Sequence, residues 1–186
     1  MSALTHTQEG ELTTAFHEAG HAVIGAALGR VVEGVNIIPT DRYYGMTSYA
    51  TDDGITDRVS NGPETLTWPV RPDEPTLELL RICTTAAGPV AHHHYHPTIP
   101  DYPECGWELF NAQQEGDCFG LYGNSLVELL EDLLDHHGHE VRRIAELLLT
   151  KKEISGDDVG VSRCPTCCAV VESVVVAADL TDWSAA

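Results

Sequence analysis

The His-Glu-Ala-Gly-His segment at residues 17–21 constrains this chain more than any other part of its sequence. It lies in a stretch whose apolar residues recur at three- and four-residue spacing, which predicts a helix over about residues 9–28. Two histidines four residues apart lie one above the other on a helix face, so His17 and His21 can bind one metal ion. Glu18 lies about 100° further round, where it can reach a metal-bound water without binding the metal. The pattern predicts a catalytic zinc (Zn²⁺) site with Glu18 as the general base.

A catalytic zinc site of this kind needs a third protein ligand, which must come from elsewhere in the fold. The extended motif that supplies a third histidine just downstream is absent. The four histidines between residues 92 and 96 form a cluster that is more typical of a solvated helix end or loop than of a metal site. Spacing alone therefore leaves the third ligand open among Glu115, Asp117, the histidines at 92–96, His136, His137 and His139.

Composition excludes several classes of function. The 186 residues, 42% of them hydrophobic, suffice for one domain with a real core, so we expect a single domain over residues 1–186. A net charge of −19 argues against binding to nucleic acid or to an anionic membrane surface. No apolar run approaches the ~20 residues that span a bilayer, and the first residues do not resemble a signal peptide. We therefore expect a cytoplasmic protein, and the sequence leaves a homo-oligomer open.

The remaining patterns predict an α+β, mainly helical fold, in which a zincin-like HExxH helix packs with a small β-sheet and a helical C-terminal half. β-branched residues predict strands at 31–39 and 43–50. A helix is expected to begin at Pro75 and to kink or end at Pro89. Ser125 and Glu128 match a capping box that opens a helix at 126–134. We further expect a helix at 140–149, a valine-rich strand after Cys168, and surface loops at 52–75 and 97–111.

The six cysteines should be reduced in a cytoplasmic protein, so a disulfide framework is not expected. Cys164-Pro-Thr-Cys167 is half of a zinc knuckle. A closed zinc site there needs two more ligands, for example Cys168 with a distant cysteine or a ligand from a second chain. A redox-labile pair and plain buried cysteines are the alternatives.

Five segments occur in the order of one enzyme family. They are Phe16–Val23, Val35–Pro39 with Tyr44–Thr47, Thr85–Gly88, Glu115–Asp117 and Leu147–Val159. On these segments the chain resembles the peptidase domain of the FtsH-type zinc proteases. The resemblance implies that Asp117 is the third zinc ligand, and that the strand at 43–50 is an edge onto which an extended peptide adds. Pro89 and His92 depart from the family, which usually carries arginine and then glutamate in that helix.

The family's ATP-driven unfolding module and membrane anchor have no counterpart in the sequence, and no GxxxxGK[ST] phosphate loop is present. The sequence therefore predicts a stand-alone, ATP-independent zinc metallopeptidase, with a peptide or protein substrate that is unstructured or flexible. One alternative is a zinc-binding regulatory or peptide-binding module with little activity, against which the intact Glu18 argues. The other is a metal-dependent hydrolase of a non-peptide amide.

Overall fold

The computed structural model describes residues 8–41, 43–50, 58–60, 75–98 and 103–178, which form an α+β, mainly helical structure, as the sequence predicts. Among these residues, no helix has the length and apolar character needed to cross a membrane. The elements are α1 (Gln8–Ala27), β1 (Val32–Asn36), β2 (Met46–Tyr49), β3 (Arg58–Ser60), α2 (Pro75–Tyr95), α3 (Pro103–Gly116), a 3₁₀ turn (Asp117–Phe119), α4 (Ser125–His136), α5 (Gly138–Lys151), β4 (Glu153–Ser155), α6 (Gly156–Val159) and α7 (Pro165–Ala177).

Helices α1 and α2 pack against each other at the centre of the protein, and this is its most extensive helix–helix contact. Gly20 makes the close approach possible, because a Cβ at this position would lie 2.5 Å from both the carbonyl oxygen of Ala87 and the Cβ of Ala91. Helix α5 packs on α1, while α3 and α4 pack on α2. The helix that carries the two motif histidines is therefore covered by other helices.

The described strands form a four-stranded antiparallel sheet in the order β3-β2-β1-β4. The two strands predicted at 31–39 and 43–50 are present as β1 and β2, in a register that places Val35 opposite Thr47. The expectation that the strand at 43–50 is a free edge is wrong. The backbone of β2 is paired with β1 on one side and with β3 on the other, so its hydrogen-bonding groups are not open to an added peptide.

Neither predicted surface loop is a loop throughout. Strand β3 falls inside the first, at residues 58–60, while residues 52–57 and 61–74 lie outside the described residues. In the second, helix α3 begins at Pro103 and replaces the expected loop up to residue 111. Proline is favoured in the first helical turn, where its missing N–H leaves no helical bond unmade. Three prolines close together suggested a loop, yet one of them begins a helix.

Two other boundaries differ from the sequence prediction because packing overrides local preference. Helix α2 continues through Pro89 to Tyr95, and its buried contact with α1 stabilises the turn that proline weakens. The valine-rich segment after Cys168 is helix α7, not a strand, and Pro165 lies in its first turn. Its buried residues Cys167, Cys168 and Val171 follow helical spacing.

The predicted capping box at Ser125 does not form. Asn124 is the N-cap of α4, and no side-chain hydrogen bond caps the helix there. A complete capping box occurs instead at α6, where Ser155 accepts from the backbone N–H of Asp158 and the Asp158 carboxylate accepts from the backbone N–H of Ser155.

Candidate active site

His17, His21 and Glu108 bring three metal-binding atoms together where α1 faces α3. The Nε2 atoms of the two histidines are 2.9 Å apart, and Oε2 of Glu108 lies 3.0 Å from Nε2 of His17 and 3.5 Å from Nε2 of His21. Three such atoms bound to one tetrahedral zinc ion would be roughly 3.3 Å apart. The observed separations bracket that value, and two imidazoles with one carboxylate are a donor set that catalytic zinc sites use. The residues therefore fit a zinc ion.

Helix α2 orients the histidines and leaves space beside them. The Nδ1 atom of His21 lies 2.8 Å from the backbone carbonyl oxygen of Thr84, so an N–H at Nδ1 donates to that oxygen and Nε2 is left to bind a metal. Gly88 provides the space, since a Cβ at this position would overlap the Nε2 atoms of both His17 and His21. An outer hydrogen bond and a missing side chain thus both favour a metal ion at this point.

Glu18 lies beside the three possible ligands but is not one of them. Its side chain is buried, and the hydroxyl of Thr47 on β2 donates a 2.8 Å hydrogen bond to its Oε2 atom. Burial raises the pKa of Glu18 to about 8, while the charge on His21 and the Thr47 hydrogen bond act in the opposite direction. Gly45 makes room for the carboxylate, because a Cβ there would lie 2.8 Å from Oε1 of Glu18. These contacts give the carboxyl group a fixed position and a perturbed pKa.

The protonation states of His17 and Glu108 suit a cation, whereas His21 must first lose a proton. Burial lowers the pKa of His17 and favours the neutral imidazole that binds metals. Burial acts in the same direction on His21, but the hydrogen bond and charge of Glu108 outweigh it, and the pKa of His21 is raised. Burial would raise the pKa of Glu108, yet attraction to the histidines holds it at about 2. A bound metal ion would replace the proton that His21 shares with the Glu108 carboxylate.

The structure does not bring Asp117, the predicted third ligand, to the histidines. Asp117 is exposed on the 3₁₀ turn that follows α3, whereas Glu108 reaches the site from the body of that helix. Sequence reasoning missed Glu108 because it lay in a segment predicted to be a loop. Pro103 at a helix start was the available signal, together with Glu108, Ala112 and Glu115 at a spacing that places them on one helix face.

The other candidate ligands also lie elsewhere. Glu115 forms an ion pair with Arg81, with 2.5 Å between Oε2 and the guanidinium nitrogen, and His139 is exposed on α5. The histidines of the 92–96 cluster diverge along the end of α2. His92 is buried and its charge would oppose a charge on His17, His94 lies 3.0 Å from Asp135, and the ring of His96 packs 4.5 Å from that of Phe16. They do not form a metal-binding group with one another among the described residues.

Comparison with known proteins adds no relative: no protein-family model and no curated protein matches this chain. Two imidazoles in their neutral form and an ionised carboxylate can hold a divalent cation. A separate buried carboxyl group beside them can accept and return a proton.

Proposed function

We propose that this protein is a zinc-dependent hydrolase that cleaves peptide bonds in unstructured segments, with the metal held by His17, His21 and Glu108. One observation carries the proposal: Glu18 is a buried carboxyl group fixed beside a three-ligand set without belonging to it. A structural zinc site usually has four protein ligands, whereas a catalytic site has three and keeps a position open. A purely structural site has no use for a second carboxyl group that is held close by without binding the metal.

Each residue has a distinct part in the proposed reaction. Zinc at this position would polarise the scissile carbonyl and lower the pKa of water toward neutrality. Glu18 accepts the proton of the attacking water on its carboxylate and transfers it to the leaving amine. Thr47 holds that carboxylate, and the carbonyl oxygen of Thr84 holds the ring of His21. The ionised Glu108 balances part of the cation's charge.

The burial of the site supports the choice of an unstructured substrate. His17 and His21 are fully buried and Glu18 is 1% exposed, while the side chain of Glu108 is 13% exposed. A folded domain cannot reach groups that are covered to this degree, whereas a narrow extended segment offers a single backbone carbonyl. The resemblance to the FtsH-type proteases supports a peptide bond as the group attacked. With no phosphate loop in the sequence, we propose that cleavage needs no ATP.

The same burial favours a second candidate function, a metal-binding regulatory module with little turnover. A site in which both histidines are fully covered holds a metal firmly and admits substrate poorly. The two candidates differ in one measurable way, because only the hydrolase depends on the carboxylate of Glu18.

The test compares the wild type with Glu18→Gln, using zinc content and digestion of a peptide library. Glu18→Gln should keep its zinc and lose about a hundredfold or more of the activity, the range that general-base catalysis supplies. Glu11→Gln is the matched control, since it makes the same change on the same helix at a residue paired with Lys152. One cleaved sequence should then be offered as a free peptide and inside a stable domain, with and without ATP.

Several results would contradict the proposal or a part of it. A zinc-loaded wild type that cleaves no peptide favours the regulatory module, and cleavage of a non-peptide amide alone corrects the substrate class. An active Glu18→Gln variant removes Glu18 as the base. Equal cleavage of the free and the embedded sequence, or a need for ATP, would overturn the proposed substrate state.

A further inference from the structure

A second group of metal-binding side chains lies away from the candidate active site. It joins the junction of α4 and α5 to the start of α7 and consists of His136, His137, Cys164 and Cys167. Sγ of Cys164 lies 3.7 Å from Nε2 of His136, and Sγ of Cys167 lies 3.4 Å from Nε2 of His137. The four possible ligand atoms all lie within 4.8 Å of one another.

These distances agree with tetrahedral coordination. With Zn–S bonds of about 2.3 Å and Zn–N bonds of about 2.0 Å, neighbouring sulfur and nitrogen ligands are roughly 3.5 Å apart. The two measured sulfur–nitrogen separations lie on either side of that value. Two thiolates with two imidazoles form a donor set that structural zinc sites use.

A break in the helix allows two consecutive histidines to face the same point. In a regular helix, neighbouring side chains diverge by about 100°. His136 ends α4, however, and His137 has φ −110° and ψ 20°, outside the helical range, before α5 begins at Gly138. The two rings are consequently 5.0 Å apart in an edge-to-face arrangement. The junction thus supplies two imidazoles to one position.

Helix α7 supplies the two sulfur atoms. Cys164 is the residue before the helix and Cys167 lies in its first turn. Both side chains are buried, as is that of His137, while His136 is exposed. Cys168, which the sequence suggested as a further ligand, points elsewhere: its Sγ lies 3.3 Å from Nε of Arg163.

We propose that His136, His137, Cys164 and Cys167 bind a structural zinc ion that fastens α7 to the helical core. Four protein ligands close the coordination sphere, so this site leaves no position for a substrate. The zinc would also hold the end of α1, because the backbone N–H of Cys164 donates a 2.7 Å hydrogen bond to the carbonyl oxygen of Ala27. The C-terminal helix would then be secured to the last turn of the helix that carries the motif histidines.

Metal analysis of the purified, reduced protein tests this site separately from the first. The wild type should hold two zinc equivalents and Cys167→Ser one. Cys118→Ser should keep both, because Cys118 is exposed and outside the cluster. Cobalt substitution identifies the ligands: the thiolate-to-cobalt charge-transfer absorption should persist in His21→Ala and vanish in Cys167→Ser.

The readouts distinguish failure of this site from failure of the proposed hydrolase, since none of them measures activity. If Cys167→Ser does not fold, His136→Ala replaces it, because His136 is the exposed ligand, and its zinc affinity should fall at least tenfold. Wild-type cobalt protein without thiolate absorption would overturn the proposal. So would two zinc equivalents in Cys167→Ser, or a Cys164–Cys167 disulfide that persists under reducing conditions with added zinc.

Discussion

The hydroxyl of Thr47 lies 2.8 Å from Oε2 of Glu18 and 3.2 Å from the backbone carbonyl oxygen of the same residue. Strand β2 thereby fixes the carboxyl group that we propose as the general base. The hydrogen bond to Oε2 stabilises the ionised carboxylate and lowers its pKa, against the burial that raises it to about 8.

Thr47→Val should therefore move the acid limb of the activity–pH profile to higher pH. Removing the hydroxyl raises the pKa of Glu18, so a higher pH is needed to ionise the base. A hydrogen bond to a charged group contributes roughly 1.5–3 kcal/mol, and one pKa unit corresponds to about 1.4 kcal/mol, so the expected shift is about one to two units. Measurement of kcat/KM against pH checks it, with Thr13→Val as the control for loss of a buried hydroxyl. If the acid limb does not move, the Thr47 hydroxyl does not set the pKa of the general base.

Glu108→Ala and Asp117→Ala distinguish the two candidates for the third ligand. Glu108→Ala should weaken zinc binding at the active site by about a hundredfold or more, since changes to residues behind the ligands already cost up to that much. Asp117→Ala should behave as the wild type, because Asp117 is exposed and does not belong to the group of three possible ligands. Competition with a chelator measures both. The opposite ranking would restore Asp117 as the ligand.

Gly88→Ala should remove zinc and activity while the protein stays folded. The added methyl group would occupy the space of the histidine Nε2 atoms, although alanine favours a helix over glycine by about 1 kcal/mol. Gly106→Ala is the matched control, because a Cβ there meets no atom within 4 Å. Zinc content and circular dichroism provide the readouts. Full zinc content in Gly88→Ala would show that the metal does not bind beside α2.

Asp158→Asn should reduce stability at neutral pH and have less effect in acid. Hydrogen bonds from the backbone and side chain of Ser155 and from Lys151 lower the pKa of Asp158 below its ordinary value of 3.8. The carboxylate therefore stabilises the fold above that ordinary value, and the contribution disappears as pH falls through the lowered pKa. Urea unfolding of both proteins from pH 7 to pH 2 should show the difference closing, with Asp157→Asn as the control. If the difference in unfolding free energy between the two proteins does not change with pH, the ionised Asp158 carboxylate is not what stabilises the fold.

The part of the candidate site that the sequence predicts depends on contacts within one helix. His17 and His21 meet because of helical spacing. The position of Glu108 at the site depends on α3. This helix begins at a proline, in a segment where the prolines predict a loop. The pairing of β2 on both sides depends on β3, three residues long, which has too few positions to show an alternating pattern.

The proposed second zinc site shows the same difference between ligands that are close in sequence and ligands that are distant. Cys164 and Cys167 are close in sequence, and their spacing predicts half of a zinc site. The other half lies 28 to 30 residues away and consists of adjacent histidines, which converge only because the helix breaks between them. Periodicity describes regular elements, so it cannot predict a ligand pair that depends on an interruption.

The long separation along the chain between the groups of the candidate active site would determine when the proposed activity can arise during synthesis. The two motif histidines meet within a single helix, but Thr47 lies 29 residues after Glu18, and Glu108 belongs to a helix that begins at residue 103. Local helices form quickly, whereas contacts between distant segments must first close long loops. A nascent chain that has left the ribosome only as far as β2 carries the motif without its third ligand. The proposed peptidase would therefore remain inactive toward its own unfolded segments until α3 has joined the core.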